Sequence, residues 1–236
     1  ALGFDGASYV QCGSSLALAR TSFTIELWIR RTRSGISECV LMHGPEESTG
    51  INSKLAISFV SQDNMVMGFW GEDLWDSVPT VDTKWHHFAF THNAQTLEVI
   101  LYRDGQEAAR KKRSGVYAGS GMLLLGMENT TRRASPSTCE IDELRVWNYV
   151  RSQTEILGSL RSSLAGNESG LWAYYNFTNY QLADRTGRSA GGTLTGKALW
   201  ALSPLPEPRP LAPISYTLGL TEAAQDSALA FDGTTY

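Results

Sequence analysis

The chain has 236 residues, of which 42% are hydrophobic and 19% are charged, so it can bury a sizeable core and is neither a disordered chain nor a coiled coil. A net charge of −4 argues against non-specific binding to nucleic acid. No run of 18 apolar residues occurs, and we therefore expect no membrane insertion.

The first residues carry neither an initiator methionine nor a signal peptide, and we expect the sequence to be a mature or excised piece of a longer protein. Asn-x-Ser/Thr triplets at Asn129, Asn167 and Asn176 predict N-glycosylation and a secreted, extracellular or cell-surface protein. The cysteines are too few for a disulfide scaffold. They leave open one disulfide with a free thiol, or a bond to another chain; they are Cys12, Cys39 and Cys139.

Short β-strands are predicted along most of the chain. Residues 23–30 alternate, with Phe23, Ile25, Leu27 and Ile29 on one face. The other predicted strands are 65–70, 85–91, 97–103, 122–125, 141–147 and 171–177. One short helix is predicted after residue 152, from a capping box (Ser152 and Glu155) followed by an apolar stripe of Ile156, Leu157, Leu160 and Leu164. This pattern predicts an all-β fold, a two-sheet antiparallel sandwich with one short helix.

The basic run Arg110–Arg113 follows an Asp104-Gly105 turn. We expect a solvated loop, the alternative being a contact patch for an acidic glycan.

The end of the chain resembles its beginning. Residues 228–236 match residues 1–9 at six of nine positions, which gives a period of 227 residues. Before them lies a proline-rich stretch that favours an extended, semi-rigid spacer. We therefore expect a module at 1–200, a linker at 201–227 and the first strand of a next repeat at 228–236. Residues 170–200 either complete the module or lead into the next repeat.

Five ordered motifs carry a family resemblance over roughly residues 1–160. They are Phe4-Asp5-Gly6 with Tyr9-Val10, the strand at 23–29, Trp85-His86-His87-Phe88 with Ala89-Phe90-Thr91, Leu101-Tyr102-Arg103-Asp104-Gly105, and Ile141-Asp142-Glu143-Leu144-Arg145-Val146-Trp147-Asn148. The chain resembles the laminin-G-like modules of the concanavalin A-like lectin/glucanase superfamily. The resemblance implies a jelly-roll sandwich.

The superfamily includes glycoside hydrolases that carry Glu-x-Asp-x-Glu on one strand. Here Glu140, Asp142 and Glu143 come near that pattern, but strand alternation places only Glu140 and Asp142 on one face unless a bulge realigns the strand. We therefore expect no enzymatic activity.

The resemblance also implies a structural Ca²⁺ site, for which Asp5 and Asp142 are the candidates. The alternative is that Asp5 makes a turn and that Asp142 accepts hydrogen bonds from nearby backbone. His86 and His92 share a strand face and could bind a metal, but a packing role is favoured for this Trp-His-His strand.

Aromatic side chains that stack on sugars are the basis for a binding function. Trp70 and Trp75 flank a loop in which Asp73, together with Asp76, supplies polar partners for a glycan. The main prediction is a non-catalytic structural repeat of a fibre, appendage or adhesive coat, which associates with copies of itself or with adjacent repeats. The alternative is a lectin-like module of a large adhesin that binds cell-surface or matrix glycans.

Overall fold

The structure, a computed structural model, describes residues 1–205 apart from 13–15, 46, 48–49 and 133–134. The predicted linker beyond residue 205 and the predicted strand at 228–236 lie outside the described residues. In chain order the strands are β1 (Leu2–Gly3), β2 (Tyr9–Gln11), β3 (Phe23–Arg30), β4 (Glu38–Gly44), β5 (Leu55–Phe59), β6 (Met65–Gly68), β7 (Leu74–Trp75), β8 (Trp85–His92), β9 (Glu98–Arg103), β10 (Gln106–Lys112), β11 (Met122–Leu125), β12 (Glu140–Trp147), β13 (Leu171–Tyr175), β14 (Thr193–Thr195) and β15 (Leu199–Trp200).

These strands form two antiparallel sheets. The first sheet has the order β10-β9-β8-β3-β12-β1-β15, and β13 pairs with the part of β12 that β1 leaves free. The second sheet has the order β14-β2-β11-β4-β5-β6-β7. The late strands return to early partners, since β14 pairs with β2 and β15 with β1. The predicted two-sheet antiparallel sandwich is confirmed.

The core lies between the sheets, and strand alternation fills it. Phe23, Ile25 and Leu27 on β3 are fully buried, as are Phe88 and Phe90 on the neighbouring β8. Each such side chain contributes about 1.5–3 kcal/mol by leaving water.

Several strands were not predicted. Among them, β4 is buried at every position and so shows no alternation, β5 has only five residues, and β7, β14 and β15 have two or three. The prediction of a solvated loop at Arg110–Arg113 is wrong. Residues 110–112 belong to β10, the edge strand of the first sheet, and Arg113 is buried directly after it.

The predicted helix is present as α1 (Gln153–Ser159), with both halves of the capping box formed by Ser152 and Glu155. It covers the outer face of the first sheet: Ile156 packs beside Ala89 of β8. Leu157, by contrast, is exposed. None of the helices among the described residues is long and apolar enough to cross a membrane.

All three cysteines are free thiols and are buried, which resolves the alternatives left by the sequence. Burial raises the pKa of Cys12 and of Cys39 to about 12. These thiols are therefore neutral side chains of the interior, inaccessible to another chain.

Candidate functional site

A groove of 530 Å³ lies on the outer face of the second sheet. Its floor comes from the alternation of β5 and β6: Leu55 and Met67 point into the core, while Ala56 and Gly68 point outward. Because these outward residues are small, they leave open space above the sheet. The lining residues are Ser37, Glu38, Ala56, Ser58, Phe59, Val60, Val66, Gly68, Trp70, Gly71, Asp73, Trp75, Glu128 and Ser135.

The strand register sets the order of side chains along the groove. Ser58, Val66 and Trp75 form one cross-strand row. Ala56 and Gly68 form the next row, and Asp73 lies beside Gly68. Lys54, just before β5, stands one row further along with its Nζ 5.4 Å from the centre of the Trp70 ring. Positions 54 and 58 are four residues apart, about 13 Å along an extended strand. The two tryptophans therefore mark the two ends of the groove.

Both tryptophans expose about half of their surface, 47% for Trp70 and 48% for Trp75. Large aromatic side chains usually bury most of their surface, so two half-exposed indoles beside one groove make it a candidate ligand site.

The position of Asp73 depends on a glycine. A Cβ at residue 68 would collide with the carboxylate of Asp73, so only glycine leaves room for that carboxylate over β6. The carboxylate accepts no hydrogen bond and forms no ion pair with any residue in the described part of the chain. It is half-buried, and its acceptor sites are available to a ligand.

Arg113 holds the loop that carries Trp70. Its guanidinium donates to the carbonyl of Gly71 at 2.6 Å and to that of Glu72 at 2.7 Å, and it lies 4.2 Å from the centre of the Phe69 ring. The loop needs this support because Trp70 and Glu72 both have positive φ, at 63° and 55°. Burial lowers the pKa of Arg113, although the guanidinium stays charged.

Glu128 closes the far side of the groove. One of its oxygens accepts a hydrogen bond from Lys54 Nζ at 3.2 Å, and the other accepts from Ser135 Oγ at 3.1 Å. The Lys54 ammonium thus links Glu128 to Trp70. No local pattern in the sequence singles out Glu128 or Arg113, because Lys54 lies 74 residues from Glu128 and Glu72 lies 41 residues from Arg113.

Of the four predicted glycan contacts, the structure brings Trp70, Asp73 and Trp75 together and separates Asp76 from them. Asp76 is buried, pairs with Arg103 Nη2 at 2.9 Å, and accepts from the Val78 amide. It lines a smaller hollow of 300 Å³ beside β10, outside the groove.

The predicted calcium ligands Asp5 and Asp142 do not meet. Residue 2 pairs with residue 141, so Asp5 continues toward residue 138, about 13 Å from Asp142. Asp5 Oδ1 accepts from the amides of Ala7 and Ser8, which lower its pKa together with the Ser8 hydroxyl. Asp142 Oδ1 accepts from the Glu143 amide, and burial raises the Asp142 pKa to about 6.

These contacts are the turn and backbone roles that the sequence left as the alternative. The two residues do not fit one Ca²⁺ ion together. Among the described residues, no group of three or more His, Cys, Asp or Glu side chains is arranged to hold a metal.

The near-hydrolase pattern on β12 does contain a bulge, which falls between Asp142 and Arg145, with Glu143 at a φ of 51°. The bulge turns Leu144 into the core and leaves Glu143 buried, where it accepts from the Tyr174 hydroxyl at 2.7 Å. Glu140 pairs with Arg30 at 2.5 Å. Each carboxylate is therefore committed to a structural partner.

The two β8 histidines that the sequence placed on one face have different surroundings. His92 is buried, with its ring 5.2 Å from that of Phe23, and burial lowers its pKa to about 4. His86 lies six residues away on the same strand, about 20 Å along it, so the two rings cannot share a metal ion.

The three predicted glycosylation sites differ in access. Asn167 is exposed and Asn176 half-buried. Asn129 is buried, with Nδ2 donating to Glu47 Oε1 and Oδ1 accepting from the Arg132 amide.

A sequence model of the Laminin_G_3 family, of the concanavalin A-like lectin/glucanases superfamily, matches residues 4–157. The chain belongs to this family. No curated protein matches the sequence of this Laminin_G_3 chain.

Several solved structures share the fold of this Laminin_G_3 chain. A Bacteroides ovatus protein, provisionally assigned as carbohydrate-binding, has a TM-score of 0.70 at 18% identity, over 87% of this chain and 60% of that one. The chain thus spans only about 60% of the length of that protein. The CBM40 of a Ruminococcus gnavus IT-sialidase has a TM-score of 0.53 at 16% identity, over 67% and 96% of the two chains.

Domain 4 of AbnA, an extracellular arabinanase of Geobacillus stearothermophilus, was solved with arabinotriose. It has a TM-score of 0.52 at 16% identity, over 66% of this chain and 74% of that one. At these identities the similarity establishes the fold, and any ligand of this Laminin_G_3 chain must be argued from its own groove.

Proposed function

We propose that this chain is a non-catalytic carbohydrate-binding module that acts outside the cell, on cell-surface or matrix glycans. The observation that carries the proposal is the groove in which Trp70, Asp73 and Trp75 converge. The indole faces supply apolar stacking surfaces, and the carboxylate supplies hydrogen-bond acceptors for hydroxyl groups. Carbohydrate binding among proteins of the same fold supports it by analogy.

The spacing along the groove favours an oligosaccharide over a single sugar. Van der Waals contact requires atoms within about 4 Å, whereas Lys54, beside Trp70, and Ser58, in the row of Trp75, are about 13 Å apart along the strand direction. One sugar ring stacked on Trp75 therefore leaves Trp70 for a second ring, with Asp73 between them.

The structure bears differently on the two roles that the sequence predicted. The groove favours the lectin-like alternative. Association with copies of the chain or with adjacent repeats remains a prediction from the sequence, since the repeated segment lies outside the described residues. Calcium also remains a prediction, and the separation of Asp5 from Asp142 counts against that pair.

Glycan-array screening followed by calorimetric titration tests the proposal. We expect the chain to bind an oligosaccharide, and Trp75→Ala to weaken the binding by about 2 kcal/mol, roughly 30-fold in Kd, because a stacking platform is lost. Since Trp75 is half-exposed, the melting temperature should hardly change.

Tyr180→Ala is the matched control, because Tyr180 is an aromatic residue that is 75% exposed and does not line the groove. Binding that survives Trp75→Ala and falls with Tyr180→Ala would place the site elsewhere. No binding to any glycan would refute the proposal.

A further inference from the structure

The charges around the groove are unevenly balanced. Three carboxylates line it, from Glu38, Asp73 and Glu128, and no Lys, Arg or His is among its described lining residues. The negative charge that a ligand meets in the groove depends on which of these carboxylates is already paired with a cation.

Two of the carboxylates already have cations. Glu38 is fully buried and pairs with Arg31 Nε at 3.1 Å. Glu128 pairs with Lys54 Nζ at 3.2 Å. Their charges are largely compensated before a ligand arrives.

Asp73 differs from both. Its carboxylate has no hydrogen-bond or ion-pair partner among the described residues. Two basic side chains near Asp73 are hydrogen-bonded to backbone groups of the same loop: Lys111 Nζ donates to the Asp73 carbonyl at 3.5 Å, and Arg113 donates to the carbonyls of Gly71 and Glu72. Arg113 interacts electrostatically with the Asp73 carboxylate but forms no ion pair with it. Neither of these cations lines the groove.

A carboxylate that lines a groove and has no hydrogen-bond or ion-pair partner among the described residues has two effects on a glycan. It accepts charge-assisted hydrogen bonds from sugar hydroxyl groups, which are stronger than bonds between neutral partners. It also repels a carboxylate on a sialic or uronic acid, because like charges that share a partly dehydrated site disfavour each other.

We propose that the groove selects neutral oligosaccharides and rejects acidic ones, and that Asp73 is the residue that determines this selection. The inference rests on the proposed carbohydrate-binding function and names the class of glycan. It sets this chain apart from the Ruminococcus gnavus CBM40 of the same fold, which was solved with α2,3-sialyllactose.

The test is an array of matched glycans in which each neutral core is also displayed in a sialylated or uronic form. We expect the full chain to bind neutral cores at least ten-fold more tightly than their acidic forms. Binding of a neutral ligand should also change little between low and physiological salt.

Two variants separate the charge of Asp73 from its position. Asp73→Asn keeps the shape and removes the charge, so neutral-glycan affinity should fall about ten-fold while acidic forms gain. Gly68→Ala keeps the charge but displaces the carboxylate, so it should weaken neutral binding without admitting acidic glycans. Glu107→Gln, which removes one exposed charge from β10 of the other sheet, is the matched control and should change neither affinity.

The outcomes distinguish the two proposals. A preference for acidic glycans that depends on Trp75 would overturn the selection by Asp73 and leave the binding function in place. Neutral preference that is unchanged in Asp73→Asn would also overturn the role of Asp73. Binding of no glycan, or binding independent of Trp75 and Trp70, would overturn the proposed function itself.

Discussion

The outer faces of the two sheets are both built from β-strands, but one face is covered by other parts of the chain and the other is exposed. On the first sheet, α1 and the residues after it cover the strands: Trp28 donates its Nε1 proton to the Leu160 carbonyl at 2.9 Å, and both residues are buried. On the second sheet, nothing in the described part of the chain covers β5 to β7, and two tryptophans remain half-exposed there.

The covered face hides a charged cluster. Glu26 is fully buried and accepts from Arg151 at 2.5 Å and from Trp147 Nε1 at 2.7 Å. Arg145 pairs with Glu143 at 2.6 Å and donates to the Ser159 carbonyl, while Arg151 donates to the Glu155 carbonyl. The two arginines thus join the sheet to α1 and its C-terminal end.

The comparison shows that the two outer faces of one sandwich can differ in the kinds of side chain they leave in contact with solvent. On the covered face, ion pairs between buried side chains hold the covering segment against the sheet. The open face leaves one carboxylate without a hydrogen-bond or ion-pair partner among the described residues and two indoles half-exposed.

The largest expected effect comes from breaking the closed face. Glu26→Gln keeps the side-chain shape but leaves Arg151 without its anionic partner in a buried site. We expect the free energy of unfolding in guanidinium to fall by about 3–5 kcal/mol. The glycan affinity of the folded protein should not change, because Glu26 lies on the sheet opposite the groove. A loss below about 1 kcal/mol would mean that the cover is held by apolar packing alone.

A smaller effect should follow from loosening the open face. Arg113→Lys keeps the charge but cannot donate to the carbonyls of Gly71 and Glu72 with the same fork. We expect the free energy of unfolding to fall by about 1–3 kcal/mol and the glycan affinity about ten-fold, because the loop carrying Trp70 loses its support. Denaturation measures the free energy of unfolding, and calorimetric titration measures the glycan affinity.

The control is Arg110→Lys, three residues earlier on β10. Arg110 is exposed and pairs with Glu98 and Glu107, and such surface pairs contribute about 0–1 kcal/mol. Equal losses in both variants would show that Arg113 acts only as another surface charge.

The sequence predicted those parts of the fold that rest on local patterns. The alternation of β3 and the capping box of α1 are complete within a few residues, and both are observed. The same alternation could not indicate β4, since both of its faces are buried and its residues after Glu38 do not alternate between apolar and polar.

The sequence predicted the part of the candidate site that consists of two tryptophans and the acidic residue between them. Trp70, Asp73 and Trp75 lie within one short loop and its flanks, so proximity in sequence served as proximity in space. Asp76 was misplaced because it follows Trp75 directly after the end of β7, and successive residues of an extended chain point in opposite directions. Arg113 was taken for solvated loop because nothing in a basic run distinguishes the one guanidinium that turns inward.

The smallest expected effect concerns pH, and it uses two adjacent histidines as reporters. His87 lies buried on the covered face near Glu26, and burial, together with the charge of Arg145, lowers its pKa to about 3. His86 points the other way, its Nδ1 2.7 Å from Asp104 Oδ2 and its Nε2 3.1 Å from Asp82 Oδ1. The hydrogen bond to Asp104 is the main reason that the pKa of His86 is raised. Both aspartates have lowered pKa values and stay ionised at neutral pH.

The two shifts act on stability in opposite pH windows. The contribution of His86 is complete below the unfolded pKa of about 6.5 and is lost as pH rises through its higher folded value. The contribution of His87 is complete above about 6.5 and is lost as pH falls toward 3, because the unfolded chain then binds a proton that the folded chain refuses. Stability should therefore peak near pH 6.5.

The alkaline side of that peak should be shallow, below about 1 kcal/mol, because the pairs of His86 lie at the surface. His86→Gln should flatten the alkaline side and leave the acid side unchanged, as measured by denaturation at a series of pH values. NMR titration provides the independent check: the His86 ring should titrate above pH 6.5, and the His87 ring should not titrate above about pH 4. If His87 titrates near 6.5, water reaches the covered face, and the contrast between a closed face and an open one fails.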